Sequence, residues 1–402
     1  MDFYSIWPFF ACMAILLGLA STPAFAMADA SPSPHHNRLA TLDGLRGFLA
    51  LAVVFHHAAI YHCFLLEGRW ELPPSRFYTM LGQVGVAMFF MVTGYLFWSR
   101  LIEEAGQPAW LRLYVGRIFR IGPLYMAAVV AMLALVFIKT ELQLTATATQ
   151  LVRQVGPWLT LGFLSGPNVN GYPGTDLLLA GVTWTLHYEW LFYLCLPVAA
   201  LAARDRRLHL PSTLAGLAAC LLWMAFHPGY SKGPALDLAC AALFLSGMTC
   251  ASLHSCGLVV RLPDEIASAA VLAFLALTFA LFPAAYAAGP VILLGSAFYL
   301  VTSGCTVFGL LVSKPARRLG DISYGIYLLQ GLVLAVVLQP YPLHAAALAS
   351  PVQHWILVLV CASLLIAVAT AAHAVIEQPG IAYGRKIAVL LTGRRVVTRK
   401  AG

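Results

Sequence analysis

Apolar runs long enough to cross a membrane recur along most of this chain, and they constrain its fold more than any other feature. Of the 402 residues, 61% are hydrophobic and 10% are charged, whereas about 25% of the residues in soluble domains are charged. The runs reach about 18 residues or more and are interrupted by glycine, proline and short polar clusters, which is typical of transmembrane helices and unlike the alternation of a membrane β-barrel. The sequence therefore predicts an all-α, polytopic membrane helix bundle.

Short basic clusters between the runs predict how the helices are oriented. Lysine and arginine accumulate on the cytoplasmic side of membrane helices, so we interpret the net charge of +8 as a topology signal and not as a nucleic-acid-binding surface. If Arg38, Arg46 and most of the later basic clusters lie in the cytoplasm, about ten membrane spans agree with the distribution of charge. Both ends of the membrane domain then lie in the cytoplasm. The predicted spans are 46–63, 81–98, 121–138, 180–202, 211–227, 235–253, 264–283, 289–312, 322–338 and 352–376.

The spans divide the chain into four predicted segments. Residues 1–26 are hydrophobic and end in a site that resembles a signal-peptide cleavage site, although Met27 is also a possible start; this segment could add a further helix. Residues 27–41 read as a polar cytoplasmic tail, 42–380 as the membrane domain, and 381–402 as a basic cytoplasmic tail. The moderately apolar stretch 150–166 carries Arg153 and is expected at the outer interface or in a re-entrant position.

Arg46 and His57 are the first candidates for chemistry. They are eleven positions apart, so on a helix they lie on nearly the same face, ~16 Å apart along the axis. Ionisable groups inside a membrane are costly and usually mark sites or pathways. Alternatively, Arg46 serves only as a positive charge that orients the helix, and His57 is only hydrogen-bonded to a neighbour inside the bundle.

Arg117, Arg120 and Glu189 are the other candidates. The two arginines are three positions apart at the entrance to the third span, where they can bind phosphate or carboxylate oxygens; lipid headgroups are the alternative ligand. Glu189 lies about six residues into an apolar run, where a carboxylate is costly without a partner. We expect Arg46, His57 or His187 to be that partner. The alternative is a polar contact that only stabilises the bundle. By contrast, Glu377 followed by Pro379 at the end of the last span reads as a helix stop.

Several motifs of soluble enzymes are absent from the sequence. There is no Walker-type glycine loop, no zinc motif of the His-Glu-x-x-His kind and no nucleophile elbow. The nine cysteines form no Cys-x-x-Cys pair and no metal-ligand spacing. These absences disfavour ATP-driven transport and serine hydrolysis, and no metal is expected.

Six motifs, in this order, resemble the acyltransferase-3 family of integral membrane O-acyltransferases. They extend from about residue 40 to about residue 380. The motifs are residues 42–47 with His57, Gly85 to Tyr95, Arg117 with Arg120, residues 184–193 around Glu189, residues 322–327, and Ile376 to Pro379.

The resemblance implies a ten-helix enzyme that moves an acyl group, commonly acetyl, from cytoplasmic acyl-CoA to a hydroxyl of an extracytoplasmic carbohydrate or lipid-linked glycan. It ties activity to Arg46, His57, Arg117 and Arg120, and implies no bound cofactor. The sequence departs from the family pattern at Gln330, where a histidine is common, and beside Glu189. The first departure suggests that position 330 is not essential to catalysis.

We therefore hypothesise an acyltransferase of the plasma (bacterial inner) membrane in which His57 is the general base and Arg117 and Arg120 hold the phosphates of the donor. Arg46 would line the same channel or pair with Glu189 or Asp43. The competing hypothesis is a secondary transporter with His57 and Glu189 as a proton relay. No paired broken helices or inverted repeats, features that often mark such transporters, are evident.

Overall fold

The fold is a bundle of helices joined by mostly short connections. The computed structural model describes residues 2–28, 39–227 and 233–392. Within these ranges every regular element is helical. The α-helices are α1 (Trp7–Ser21), α2 (Ala40–Glu67), α3 (Arg76–Glu103), α4 (Trp110–Lys139), α5 (Ala148–Val155), α6 (Trp184–Ala203), α7 (His209–Phe226), α8 (Pro234–Ser255), α9 (Asp264–Leu281), α10 (Ala288–Thr302), α11 (Lys314–Asp321), α12 (Ser323–Leu338), α13 (Leu343–Ala349), α14 (Pro351–Ala372) and α15 (Gln378–Thr392).

The helices agree with the predicted polytopic bundle. Among the described residues, eight helices are long and apolar enough to cross a membrane: α2, α3, α4, α6, α7, α8, α9 and α14 with its continuation to Leu391. The pair α11 and α12, bent by 69°, forms one further candidate, and α1 and α10 are shorter apolar helices. The predicted span 289–312 is too long, because α10 ends at Thr302. Arg38, most of the tail 27–41 and positions 393–402 lie outside the described residues.

Helices α2 and α3 run antiparallel and define the two ends of the bundle. A loop at residues 68–75 joins them, and the ring of His56 on α2 packs against Gly82 on α3. We call the end at which α2 begins the arginine end, because Arg46 lies there. The opposite end, at which α2 ends, is the loop end.

The beginning of α2 is held by a close crossing with α11 and the turn that precedes it. A Cβ atom at Gly44 would collide with the carbonyl of Leu311, and a Cβ atom at Gly47 would lie 2.6 Å from the carbonyl oxygen of Ala316. Without side chains at these positions, the two backbones can approach each other closely. The glycines of the 42–47 motif therefore fix where Arg46 begins its path into the bundle.

The chain between α4 and α6 re-enters the bundle from the loop end, one of the two positions predicted for residues 150–166. Leu161 packs beside Gly122 of α4, and its carbonyl accepts a hydrogen bond of 2.8 Å from the indole of Trp190. The chain then returns to the loop end, where the buried side chain of Asn170 bonds the end of α4. Irregular backbone is tolerated at this depth when it is enclosed by protein and hydrogen-bonded.

The N-terminal hydrophobic segment packs against the bundle. Leu16 and Ala20 of α1 are buried. The guanidinium of Arg318 on α11, a residue that is only 3% exposed, donates hydrogen bonds to the carbonyls of Ala20 (2.9 Å) and Thr22 (2.8 Å). A cation in this place satisfies carbonyls that have no intrahelical partner and complements the helix dipole.

The last predicted span does not stop at Pro379, so that prediction is wrong. Helix α14 continues through a π-helical turn, His373–Glu377, into α15. The π turn lies just before Pro379, whose missing N–H already interrupts the regular hydrogen-bond pattern. Residues 381–392, predicted as part of a basic tail, are helical, and α15 packs on α4 through Gly380 and Gly384.

Candidate active site

A cavity of about 510 Å³ at the arginine end contains four of the five predicted site residues. Arg46, Arg117, Arg120 and Glu189 all line it. They come from α2, α4 and α6, and the wall is completed by α3, α12 and α15, with the end of α11 and the π turn before α15. Further polar residues in the wall are Asp43, Tyr193, Asp321, Tyr324, Tyr327 and Arg385.

The two arginines of α4 face the cavity together, as expected for residues three positions apart on a helix. The guanidinium carbon of Arg117 lies 4.6 Å from the ring centroid of Phe97, a cation–π contact that supports the side chain from α3. The Nη2 atom of Arg120 lies 3.6 Å from the Oε1 atom of Glu377. Both arginine side chains are half-buried and retain donors for an anionic ligand.

Arg46 lies among charges of both signs. The carboxylates of Asp43, Glu377 and Asp321 and the guanidinium of Arg120 all act electrostatically on it. Its side chain is half-buried in the cavity wall. This environment agrees with the expectation that Arg46 lines the same channel as the arginines of α4.

Glu189 interacts with the tyrosine one turn further along α6. The hydroxyl of Tyr193 donates a hydrogen bond of 3.0 Å to Oε2 of Glu189, and the charges of Arg117, Arg46 and Arg120 act on the carboxylate. Of the partners predicted for Glu189, Arg46 therefore lies near its carboxylate. His187 bonds the carbonyl of Phe163 instead, at 2.7 Å.

Glu377 is a site residue that sequence reasoning missed. Its side chain is 0% exposed; besides the contact with Arg120, its Oε2 accepts a hydrogen bond of 2.9 Å from Nδ1 of His373. His373 in turn contacts Gln378, and both line the cavity. A carboxylate in an apolar helix needs a partner, and this requirement, which singles out Glu189, applies equally to Glu377.

His57 lies beyond the cavity toward the loop end and is not part of its wall. Its Nδ1 is 3.1 Å from Oε1 of Gln330, and its ring stacks on Trp70, with 6.2 Å between centroids and 26° between planes. Neighbouring His56 is bonded to the carbonyl of Tyr78 at 2.8 Å. Of the two adjacent histidines, His56 is thus tied to the backbone of α3, whereas His57 is connected through Gln330 to the helix that carries Tyr327.

The comparison with known families decides the membership of the chain. The profile of the acyltransferase-3 family, described as an acyltransferase domain, matches residues 39–372. The chain belongs to the acyltransferase-3 family. As a member, it is an integral membrane protein and an acyltransferase.

Two bacterial proteins are similar in sequence to this acyltransferase-3 chain over most of its length. "Nodulation protein 10" of Rhizobium leguminosarum bv. viciae is 26% identical over 392 residues, which cover 90% of this chain and 97% of that protein. "Putative peptidoglycan O-acetyltransferase YrhL" of Bacillus subtilis (strain 168) is 26% identical over 327 residues, which cover 73% of this chain and 48% of that protein. No solved structure matches the chain significantly.

Proposed function

We propose that this membrane O-acyltransferase moves an acyl group, commonly acetyl, from acyl-CoA at the arginine end to a hydroxyl of a carbohydrate or glycolipid that enters from the loop end. The observation that carries the proposal is the convergence of Arg46, Arg117 and Arg120 on one cavity. Guanidinium groups bind phosphate oxygens in forked pairs, and the CoA portion of the donor carries phosphates. The name of the Bacillus relative supports a carbohydrate acceptor.

The donor would bind from the cytoplasm. The basic residues of the arginine end favour that orientation, and cytoplasmic acyl-CoA is then supplied directly to the cavity. The membrane is the plasma membrane, which is the inner membrane in cells with two. Acyl-CoA acts as a substrate in this scheme, and the family membership favours it over the transporter hypothesis.

His57 would act as the general base. It accepts the proton of the acceptor hydroxyl while the hydroxyl oxygen attacks the thioester carbonyl, so that the new ester C–O bond forms and the C–S bond breaks. The imidazolium then returns the proton to the leaving CoA thiolate. General base catalysis of this kind contributes about 10²–10⁴-fold to the rate.

The test is acyl transfer by purified protein with radiolabelled acetyl-CoA and a soluble saccharide acceptor. His57→Ala should lower kcat by about 10²-fold or more, while equilibrium binding of acetyl-CoA changes little because the cavity is intact. The matched control is His254→Ala, since His254 is a half-buried histidine bonded to Tyr95 and Ser303 and does not line the cavity. Full activity of His57→Ala would exclude the proposed base.

A further inference from the structure

Gln330 holds His57 through an amide group whose orientation is fixed by its surroundings. Gln330 is 0% exposed. Its Nε2 atom donates a hydrogen bond of 2.9 Å to the carbonyl oxygen of Tyr327. Its Oε1 atom faces Nδ1 of His57 at 3.1 Å. The opposite amide orientation would place two acceptor oxygens against each other at Tyr327, with no proton between them.

This orientation determines which nitrogen of His57 carries the proton. An amide oxygen can only accept a hydrogen bond, so Nδ1 of His57 must be the donor in its contact with Gln330. A neutral imidazole has one N–H and one lone pair. Nε2 therefore carries the lone pair.

We propose that Gln330 is a positioning residue that holds His57 in the Nδ1–H tautomer, so that Nε2 is the atom that accepts the proton from the acceptor hydroxyl. This inference rests on the proposed function. In the transfer step the hydroxyl proton moves to Nε2, the C–O bond forms and the C–S bond breaks. The bond from Nδ1–H to Gln330 persists throughout and stabilises the imidazolium until Nε2 returns the proton to the CoA thiolate.

The surroundings of both side chains keep this contact in place. Gly331, the next residue of α12, packs against the re-entrant backbone at Leu179 and Ala180. On the other side, the indole of Trp70 covers the imidazole of His57. Position 330, although its residue type suggests that it is not essential to catalysis, thus contacts the catalytic candidate. A histidine at this position could offer a nitrogen lone pair to Nδ1–H in the same way.

Gln330→Met tests the proposal because methionine has nearly the same shape and offers no comparable acceptor. We expect kcat to fall at least about tenfold, with KM for acetyl-CoA within about twofold of the native value. Gln330→His should recover most of the activity. Gln339→Met is the matched control. Gln339 directly follows α12 and donates a hydrogen bond of 2.9 Å to the hydroxyl of Tyr61 on α2. This variant should leave kcat within about twofold of the native value.

A second measurement uses the native protein and does not depend on how the variants fold. In protein labelled with ¹⁵N-histidine, the difference from the His57→Ala spectrum identifies the two nitrogens of His57, and Nδ1 should be the protonated one in the neutral ring. A neutral ring protonated at Nε2, or native kcat in Gln330→Met, would overturn the inference. An inactive His57→Ala beside a fully active Gln330→Met would reject the positioning role of Gln330 alone, whereas an active His57→Ala would reject the proposed function itself.

Discussion

At the scale of single residues, the cavity depends on a carboxylate that no ligand can reach. Glu377 is fully buried behind Arg120 and bonded to His373. A buried charge is tolerated when it is paired and hydrogen-bonded. Its contact with Arg120 fixes one guanidinium of the proposed phosphate site, so we assign Glu377 a positioning role.

Replacing Glu377 with Gln should weaken donor binding. The variant keeps an oxygen for His373 and loses the charge that holds Arg120, so KM for acetyl-CoA should rise about tenfold, equivalent to ~1.4 kcal/mol, with a smaller change in kcat. Steady-state kinetics at varied acetyl-CoA measure the effect. Glu104→Gln, which breaks the more exposed pair with Arg100 at 2.9 Å, is the control and should change KM little. An unchanged KM in Glu377→Gln would remove the positioning role.

Arg385 gives a second test at this scale. It is exposed on α15 and lines the mouth of the cavity, which suits a contact with a donor phosphate. Arg385→Ala should raise KM for acetyl-CoA about three- to tenfold, in line with the loss of about 0.7–1.4 kcal/mol from one solvent-exposed hydrogen bond, and should leave KM for S-acetylpantetheine, which lacks phosphates, unchanged. Equal effects on the two donors would show that Arg385 does not contact phosphate.

Individual site residues were predictable to different degrees. Arg46, Arg117, Arg120 and Glu189 stand out as charges in or beside apolar helices, and the structure brings all four to one cavity. Gln330 departs from the family pattern, which suggests that position 330 is not essential, yet it contacts His57 across 273 positions of the chain. Such a contact depends on which helices pack side by side, and helix periodicity does not contain that information.

At the scale of elements, the side chain of Asn170 connects the re-entrant segment to the end of α4 at the loop end. The amide of Asn170 donates to the hydroxyl of Thr140 at 2.9 Å and to the carbonyl of Gln143 at 2.8 Å, and its oxygen accepts from the backbone of Thr145 at 2.9 Å. Because this segment reaches Ala180, which packs on Gly331, its position also affects the packing beside Gln330.

Asn170→Gly should therefore loosen the segment. Glycine tolerates the φ of 50° at this position, so the variant removes the side-chain bonds without adding backbone strain. Losing these hydrogen bonds should lower the free energy of unfolding by about 1–3 kcal/mol, seen as a lower Tm and faster proteolysis between residues 140 and 182. Ser165→Gly, at an exposed position of the same segment, is the control. An equal loss of Tm and equal proteolysis in the two variants would show that the side chain of Asn170 does not hold the segment in place.

At the scale of the whole molecule, the membrane helices are largely predictable from the sequence, whereas the packing of the first and last helices, α1 and α15, is not. Nine of the ten predicted spans coincide with helices, because helix length and hydropathy are set locally by the membrane; the tenth, 289–312, runs past the end of α10 at Thr302. The continuation through the π turn into α15 is not local, since α15 is held by α4 through Gly380 and Phe119. The packing of α1 likewise depends on Arg318, which lies almost 300 positions away in the chain.

The orientation of the molecule can be tested with a native thiol. Cys256 is exposed at the C-terminal end of α8, at the arginine end of the bundle. If that end faces the cytoplasm, a membrane-impermeant maleimide should label Cys256 in inside-out vesicles and not in right-side-out vesicles. The variant Cys256→Ser should lose this labelling. Labelling from the outside would reverse the orientation and exclude a cytoplasmic donor site.

The axial distance between the arginines and His57 has a consequence for the choice of donor. Arg46 and His57 are separated by about 16 Å along α2, so an acyl group anchored by phosphates at one place must react at another. Only a donor whose phosphates and thioester are separated by a long, slender arm can occupy both positions at once. The protein would thus select its acyl donor by length, and a short activated ester such as acetyl phosphate would bind to the arginines with its acyl group out of reach of the imidazole.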